Sequence, residues 1–192
     1  MHASDVADAA LSDAAALHER VRRAGLASTV AAAGAIVASL RQGGKVLVFG
    51  NGGSAADAAH AAAELVGRFR RERQGYAAVA LTADPSVLTS IANDYGYDRV
   101  FARQIEALGR PGDIAFAITT SGESVNALRA LEEARARQLT TIALTGRDGG
   151  TAGRLADVHV NVPSDSTPRV QEVHRTLLHV ICDLVETELS AG

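Results

Sequence analysis

The chain has 192 residues, 47% of them apolar, and its 19 basic and 22 acidic side chains leave a net charge of −3. That length supplies one domain with a self-sufficient core. The slight negative balance, with no basic block, excludes a general nucleic-acid-binding surface, which needs a positive footprint. The single cysteine, Cys182, excludes an intramolecular disulfide and reads as a packed core thiol within Val180-Ile181-Cys182-Asp183-Leu184. Asp5, Asp8 and Asp13 stand where a secretory leader would be basic and then apolar. The longest apolar runs fall far short of a membrane span, so a cytoplasmic protein without membrane contact is expected.

Two amphipathic helices open the chain. Val6, Ala10, Leu11, Ala14, Leu17 and Val21 recur at helical spacing between Ser4 and Arg23, and Val30, Ile36, Val37 and Leu40 do so between Leu26 and Leu40. Short apolar runs then alternate with helices. Strands are predicted at Lys45–Phe49, Ala77–Leu81, Ile114–Ile118, Thr141–Leu144 and Val158–Val162, and helices at Ser54–Arg70, Ser86–Asn93, Val100–Ala107, Ser124–Arg137 and Arg169–Leu189. Strands that are apolar throughout and separated by helices imply a parallel sheet covered on both faces. The expected architecture is one doubly wound α/β domain, residues 43–192, with a helical extension at 1–42.

In such sheets ligands bind beyond the carboxyl ends of the strands, at the switch point, and two strand ends here carry suitable residues. After the first strand, Gly50-Asn51-Gly52-Gly53-Ser54 runs into a helix. The glycines allow a sharp turn and close approach, the helix start favours an anion, and Ser54 offers a hydroxyl and an N-cap. After the third strand, Thr119-Thr120-Ser121-Gly122-Glu123-Ser124 opens another helix with four hydroxyls. Together they form a double phosphate cradle. The first lacks the GxGxxG dinucleotide pattern and the Lys-Ser or Lys-Thr of a Walker loop, and Asp84 is a weak ribose-binding acid. A small phosphorylated molecule fits better than a nucleotide.

Polar residues on apolar helices supply the chemistry. His60 and Glu64 lie one turn apart and project from one face just beyond the first corner, as metal ligands or as an acid–base pair. On the last helix Gln171 and His179 lie near one face, given ~100° per residue. Asn93-Asp94 ends a helix before Tyr95, where turn chemistry is an equal reading. His2, His18 and His159 show no partner pattern and read as surface or structural.

Taken in order, these segments resemble one known family. Gly50-Asn51-Gly52-Gly53-Ser54-Ala55-Ala56-Asp57, His60, Glu64, Ile91-Ala92-Asn93-Asp94-Tyr95, Thr119–Ser124, Leu144-Thr145-Gly146 and Thr167-Pro168-Arg169-Val170-Gln171-Glu172 with His174 and His179 are similar to the phosphoheptose isomerases of the sugar-isomerase (SIS) domain superfamily. The resemblance runs over nearly the whole chain. It implies a homotetramer with active sites between subunits, the N-terminal helices helping to form a central bundle. It also implies a phosphorylated seven-carbon sugar whose phosphate is held by Asn51, Gly52, Gly53, Ser54, Thr119, Thr120, Ser121 and Ser124, with Asn93, Asp94, Glu64 and Gln171 touching the sugar. One zinc ion per subunit would be bound by His60, Glu64, Gln171 and His179, and Glu64 and His179 would carry proton transfer. A related group keeps the fold as a non-catalytic protein-binding factor in replication initiation, but lacks the complete quartet.

Two positions depart from that pattern. Glu123 puts a carboxylate inside the phosphate loop, which is tolerated only if it points away. Pro168 stands where some relatives have an acid near the sugar, so that contact is not carried over.

Overall fold

The computed structural model describes residues 2–190. Two helices, α1 (Ala3–Ala24) and α2 (Ala27–Arg41), lead into β1 (Val46–Gly50), α3 (Gly53–Val66), β2 (Ala78–Ala80) and α4 (Pro85–Tyr95). A short 3-10 turn at Tyr97–Arg99 precedes α5 (Ala102–Leu108), β3 (Ile114–Thr119), α6 (Val125–Ala136), β4 (Thr140–Gly146), α7 (Gly150–Leu155), β5 (Val158–Val162) and α8 (Thr167–Ser190). Among the described residues no single helix is long and apolar enough to cross a membrane.

The five strands form one parallel sheet in the order β2-β1-β3-β4-β5. The chain steps from β1 to β2 on one side and then to β3 on the other, so the switch point lies between the carboxyl ends of β1 and β3. Those ends are Gly50 and Thr119, the two predicted corners.

Side chains alternate across the sheet with the period of a strand. Val46, Val48, Ile114, Phe116, Ile118, Ile142 and Leu144 face a core shared with α1, α2, α3 and α8. Leu47, Phe49, Ala115, Ala117 and Ala143 face the other core, under α4 to α7. On that second face β3 and β4 present alanine, and α6 answers with Ala127, Ala130 and Ala134, so this helix sits close to the sheet. The Lys45 ammonium closes on the buried Asp113 carboxylate at 2.5 Å, pinning the amino ends of β1 and β3 together.

The predicted strands fall within a residue or two of these bounds. The helix expected to reach Arg70 stops at Val66, because Gly67 leaves helical backbone (φ −77°, ψ −107°) and the following N–H groups are taken by α8. The six-residue helix α7, which begins at Gly150, is not among the predicted helices.

Candidate active site

The first corner is built by glycine. Gly52 is the N-cap of α3 at φ 57°, a conformation that glycine adopts without a Cβ penalty. A Cβ on Gly53 would fall on the Gln171 side chain, so glycine there lets α8 approach the start of α3. Ser54 is not the cap; it lies inside the first turn, buried at 3% exposure, and its N–H donates to the Asn51 carbonyl at 3.0 Å. Among the described residues the N–H groups of Gly52 and Gly53 have no protein acceptor, and they stand at the positive end of α3.

The second corner carries its hydroxyls as a cluster. Thr119 Oγ1 shares hydrogen bonds with Ser124 Oγ at 3.1 Å and Ser121 Oγ at 3.4 Å. Gly122 N–H donates to Thr119 Oγ1 at 3.3 Å, and Glu123 N–H to Ser121 Oγ at 3.1 Å. Thr120 is half-buried beside them. Glu123 does point away: its carboxylate accepts from Thr151 N–H at 2.7 Å and from Thr151 Oγ1 at 3.1 Å, holding the start of α7.

The two corners are tied by an amide pair. Asn51 Nδ2 donates to Asn126 Oδ1 at 2.8 Å, and Asn126 Nδ2 donates back to Asn51 Oδ1 at 2.9 Å. Tyr97 adds its hydroxyl to Asn51 Oδ1 at 3.2 Å. The Asn51 side chain thus joins loops, and its buried partner Asn126 escaped the sequence reading because an Asn in the first turn of a helix is ordinary there.

Two helices leave the first corner side by side. Gln171 stands against Gly53, Asp57 accepts from Arg175 Nε at 2.8 Å, and His60 Nε2 meets His179 Nε2 at 2.8 Å, so α3 and α8 run parallel. A groove of about 660 Å³ opens beside their upper turns, lined by Gly53, Gln171, Arg175 and, from α1, His18. His18 bonds the Ala14 carbonyl at 2.8 Å and Thr176 Oγ1 at 2.9 Å, a structural role. His159 likewise bonds Thr145 Oγ1 at 2.7 Å.

Further along, Glu64 Oε1 lies 3.3 Å from His60 Nε2, and the donor atoms of His60, Glu64 and His179 all fall within 4.8 Å of one another. Two imidazole Nε2 atoms at 2.8 Å cannot both present lone pairs unless a proton or a cation lies between them. Two imidazoles and a carboxylate are the donor chemistry of a divalent transition ion, so the residues present fit a metal. Burial lowers the His179 pKa, and the nearby His60 adds to the shift. The neutral, ligating form is thereby favoured.

Gln171 lies on the same helix above this cluster and makes no hydrogen bond to it among the described residues. Asn93 donates to Asp94 Oδ1 at 2.8 Å; both are exposed at the end of α4, with no bond to either corner among the described residues. Cys182, one turn past His179, is a core thiol whose pKa burial pushes up to about 12, with Glu64 and Glu186 contributing.

Residues 11–146 match the SIS domain family model. The phosphoheptose isomerase of Roseiflexus sp. is 56% identical over 160 residues, covering 83% of this chain and 81% of the relative. That of Geobacter metallireducens is 54% identical over 171 residues, covering 89% and 90%. The chain belongs to the phosphoheptose isomerase family. It is therefore an isomerase with the SIS fold. The phosphoheptose isomerase of Neisseria gonorrhoeae superposes with a TM-score of 0.92 at 43% identity, covering 97% of this chain and all (100%) of that one.

Proposed function

We propose that the chain interconverts sedoheptulose 7-phosphate and D-glycero-D-manno-heptose 7-phosphate, in a homotetramer whose subunits share each active site. The observation that carries this reading is the His60–Glu64–His179 cluster on two parallel helices that both begin at a phosphate corner. The names of the relatives support a heptose phosphate as substrate. The tetramer is supported by α1, where Val6 and Leu11 are 54% and 74% exposed along an otherwise amphipathic helix.

The phosphate is held by the free N–H groups of Gly52 and Gly53 and by the hydroxyls of Ser54, Thr119, Thr120, Ser121 and Ser124, with Asn51 keeping the corners together. Asn93, Asp94 and Gln171 bind the sugar chain. Glu64 takes a proton from C1 of the ketose while His179 gives one to the C2 oxygen, leaving a cis-enediol. Glu64 then returns a proton to C2 and His179 accepts one from the C1 oxygen, so the atoms balance and the aldose results. His60, Glu64, Gln171 and His179 would hold zinc. When bound, zinc supplies Lewis-acid polarisation of the carbonyl.

NMR-monitored incubation with sedoheptulose 7-phosphate, against five- and six-carbon ketose phosphates, tests the substrate. Turnover of the seven-carbon sugar is the expected result. Preference for a shorter sugar would overturn the assignment.

A further inference from the structure

Two turns along α8 from His179 stands a carboxylate that the reaction does not use. Glu186 is 1% exposed and interrupts the apolar stripe of α8. Its Oε1 accepts from Phe69 N–H at 2.7 Å and from Arg73 Nε at 3.1 Å; its Oε2 accepts from Arg70 N–H at 2.9 Å and Arg71 N–H at 3.0 Å. Burial alone would raise its pKa, but the three N–H donors and Arg73 outweigh that and hold it below the usual carboxylate range.

Arg73 extends the assembly to α3. Its side chain is 6% exposed and lies over the Tyr76 ring at 3.9 Å. Nη2 donates to the Glu64 carbonyl at 2.8 Å, and Nη1 donates to the carbonyls of Leu65 and Gly67 at 2.9 Å each. Glu64 and Leu65 carry last-turn carbonyls of α3 that lack intrahelical partners, and Gly67 is its C-cap; the Leu65 carbonyl also accepts from Tyr76 N–H at 2.9 Å. The guanidinium therefore caps the turn that carries Glu64, and the same guanidinium is gripped from α8. The loop held between them places the Phe69 ring 5.4 Å from the His179 ring.

A buried ion pair is weak evidence for stability, since apolar residues of similar volume often serve as well. What an apolar pair cannot do is anchor three loop N–H groups, two last-turn carbonyls and the C-cap carbonyl at once. We propose that the Arg73–Glu186 pair is the positioning device of the active site: it fixes α3 against α8 and seats Phe69 on His179, so that His60, Glu64 and His179 keep the spacing that binds one divalent ion. This rests on the zinc reading above. Such sites tolerate displacements of only ~0.5 Å, and loss of outer-shell partners typically weakens metal binding ~10- to 100-fold.

The test compares Glu186→Gln, Phe69→Ala and a control, Asp113→Asn, which alters a buried carboxylate with similar partners at the far end of the sheet. Zn²⁺ affinity is measured by competition with a chromophoric chelator, the site geometry by the visible absorption of the Co²⁺-loaded protein, and folding by thermal melts. Glu186→Gln is expected to weaken Zn²⁺ binding ~10- to 100-fold, shift the Co²⁺ bands and lower kcat with little change in KM. Phe69→Ala should shift the same bands while melting near the parent. Asp113→Asn should lower the melting temperature and leave affinity and spectrum unchanged. Parent-like affinity and spectrum in both site variants would overturn the proposal; if Glu186→Gln does not fold, Phe69→Ala decides alone. A parent that binds neither ion would sink the zinc reading itself, a result distinct from variants that bind as the parent does.

Discussion

Replacing Asn126 with alanine unties the two loops at the switch point, and the structure sets the scale of the effect. The substitution removes two neutral amide hydrogen bonds, at 2.8 and 2.9 Å, each contributing a net ~1 kcal/mol. Asn51 retains the Tyr97 hydroxyl and is only half-buried, so water satisfies much of what is lost and the full desolvation penalty does not apply. The expected loss is therefore ~2 kcal/mol, which for a domain of this size lowers Tm by roughly 4–8 °C. The corners also lose their mutual reference, so KM for the phosphosugar should rise several-fold while kcat changes less. A melt followed by circular dichroism, with steady-state kinetics on the same preparation, measures both. An unchanged Tm would refute the energetic argument, and an unchanged KM with a lowered Tm would show that the amide pair serves the fold and not the phosphate.

Other outcomes follow from the same geometry. Glu64→Gln should reduce turnover by at least ~10²-fold while leaving phosphosugar binding largely intact; retained turnover would remove Glu64 from the proton-transfer role. Stripping the metal should abolish activity and zinc should restore it, checked by metal analysis beside the assay. Gly53→Ala drives a methyl into Gln171, so phosphosugar affinity should fall more than stability, as read by calorimetry and thermal melts. His174 is fully buried, and burial holds its pKa below the ordinary 6.5 despite its bond to the Thr145 carbonyl. The unfolded chain takes the proton more readily, so this contribution is complete above pH ~6.5 and is lost as pH falls through the lower folded value. His174→Gln should flatten the decline in urea midpoint on acidification; an acid limb identical to the parent's would count against it.

Much of this molecule is written in local pattern. The five strands are largely runs of Val, Ile, Leu, Phe and Ala, and the glycine-rich and hydroxyl-rich corners stand out by their position after the first and third. The pairing of His60 with Glu64 is also local, one turn on one helix. What is not legible depends on contacts between distant segments. The end of α3 at Val66 is set by Gly67 together with Glu186, more than a hundred residues away. Phe69 reads as an isolated aromatic among arginines, and only the fold brings its ring to His179. Ser54 does not serve as the expected N-cap, because Gly52, with positive φ, fills the cap position and leaves Ser54 inside the first turn.

The burial of Cys182 has a practical consequence. Its thiol is 3% exposed, raised to about 12 in pKa, and the only one in the chain. It stays protonated and out of reach of maleimides and disulfide reagents under ordinary handling. Any cysteine introduced at an exposed position, such as Val125 beside the hydroxyl loop, therefore reacts against a silent background. One fluorophore or spin label per chain then reports on the hydroxyl loop without first mutating the native sulfur.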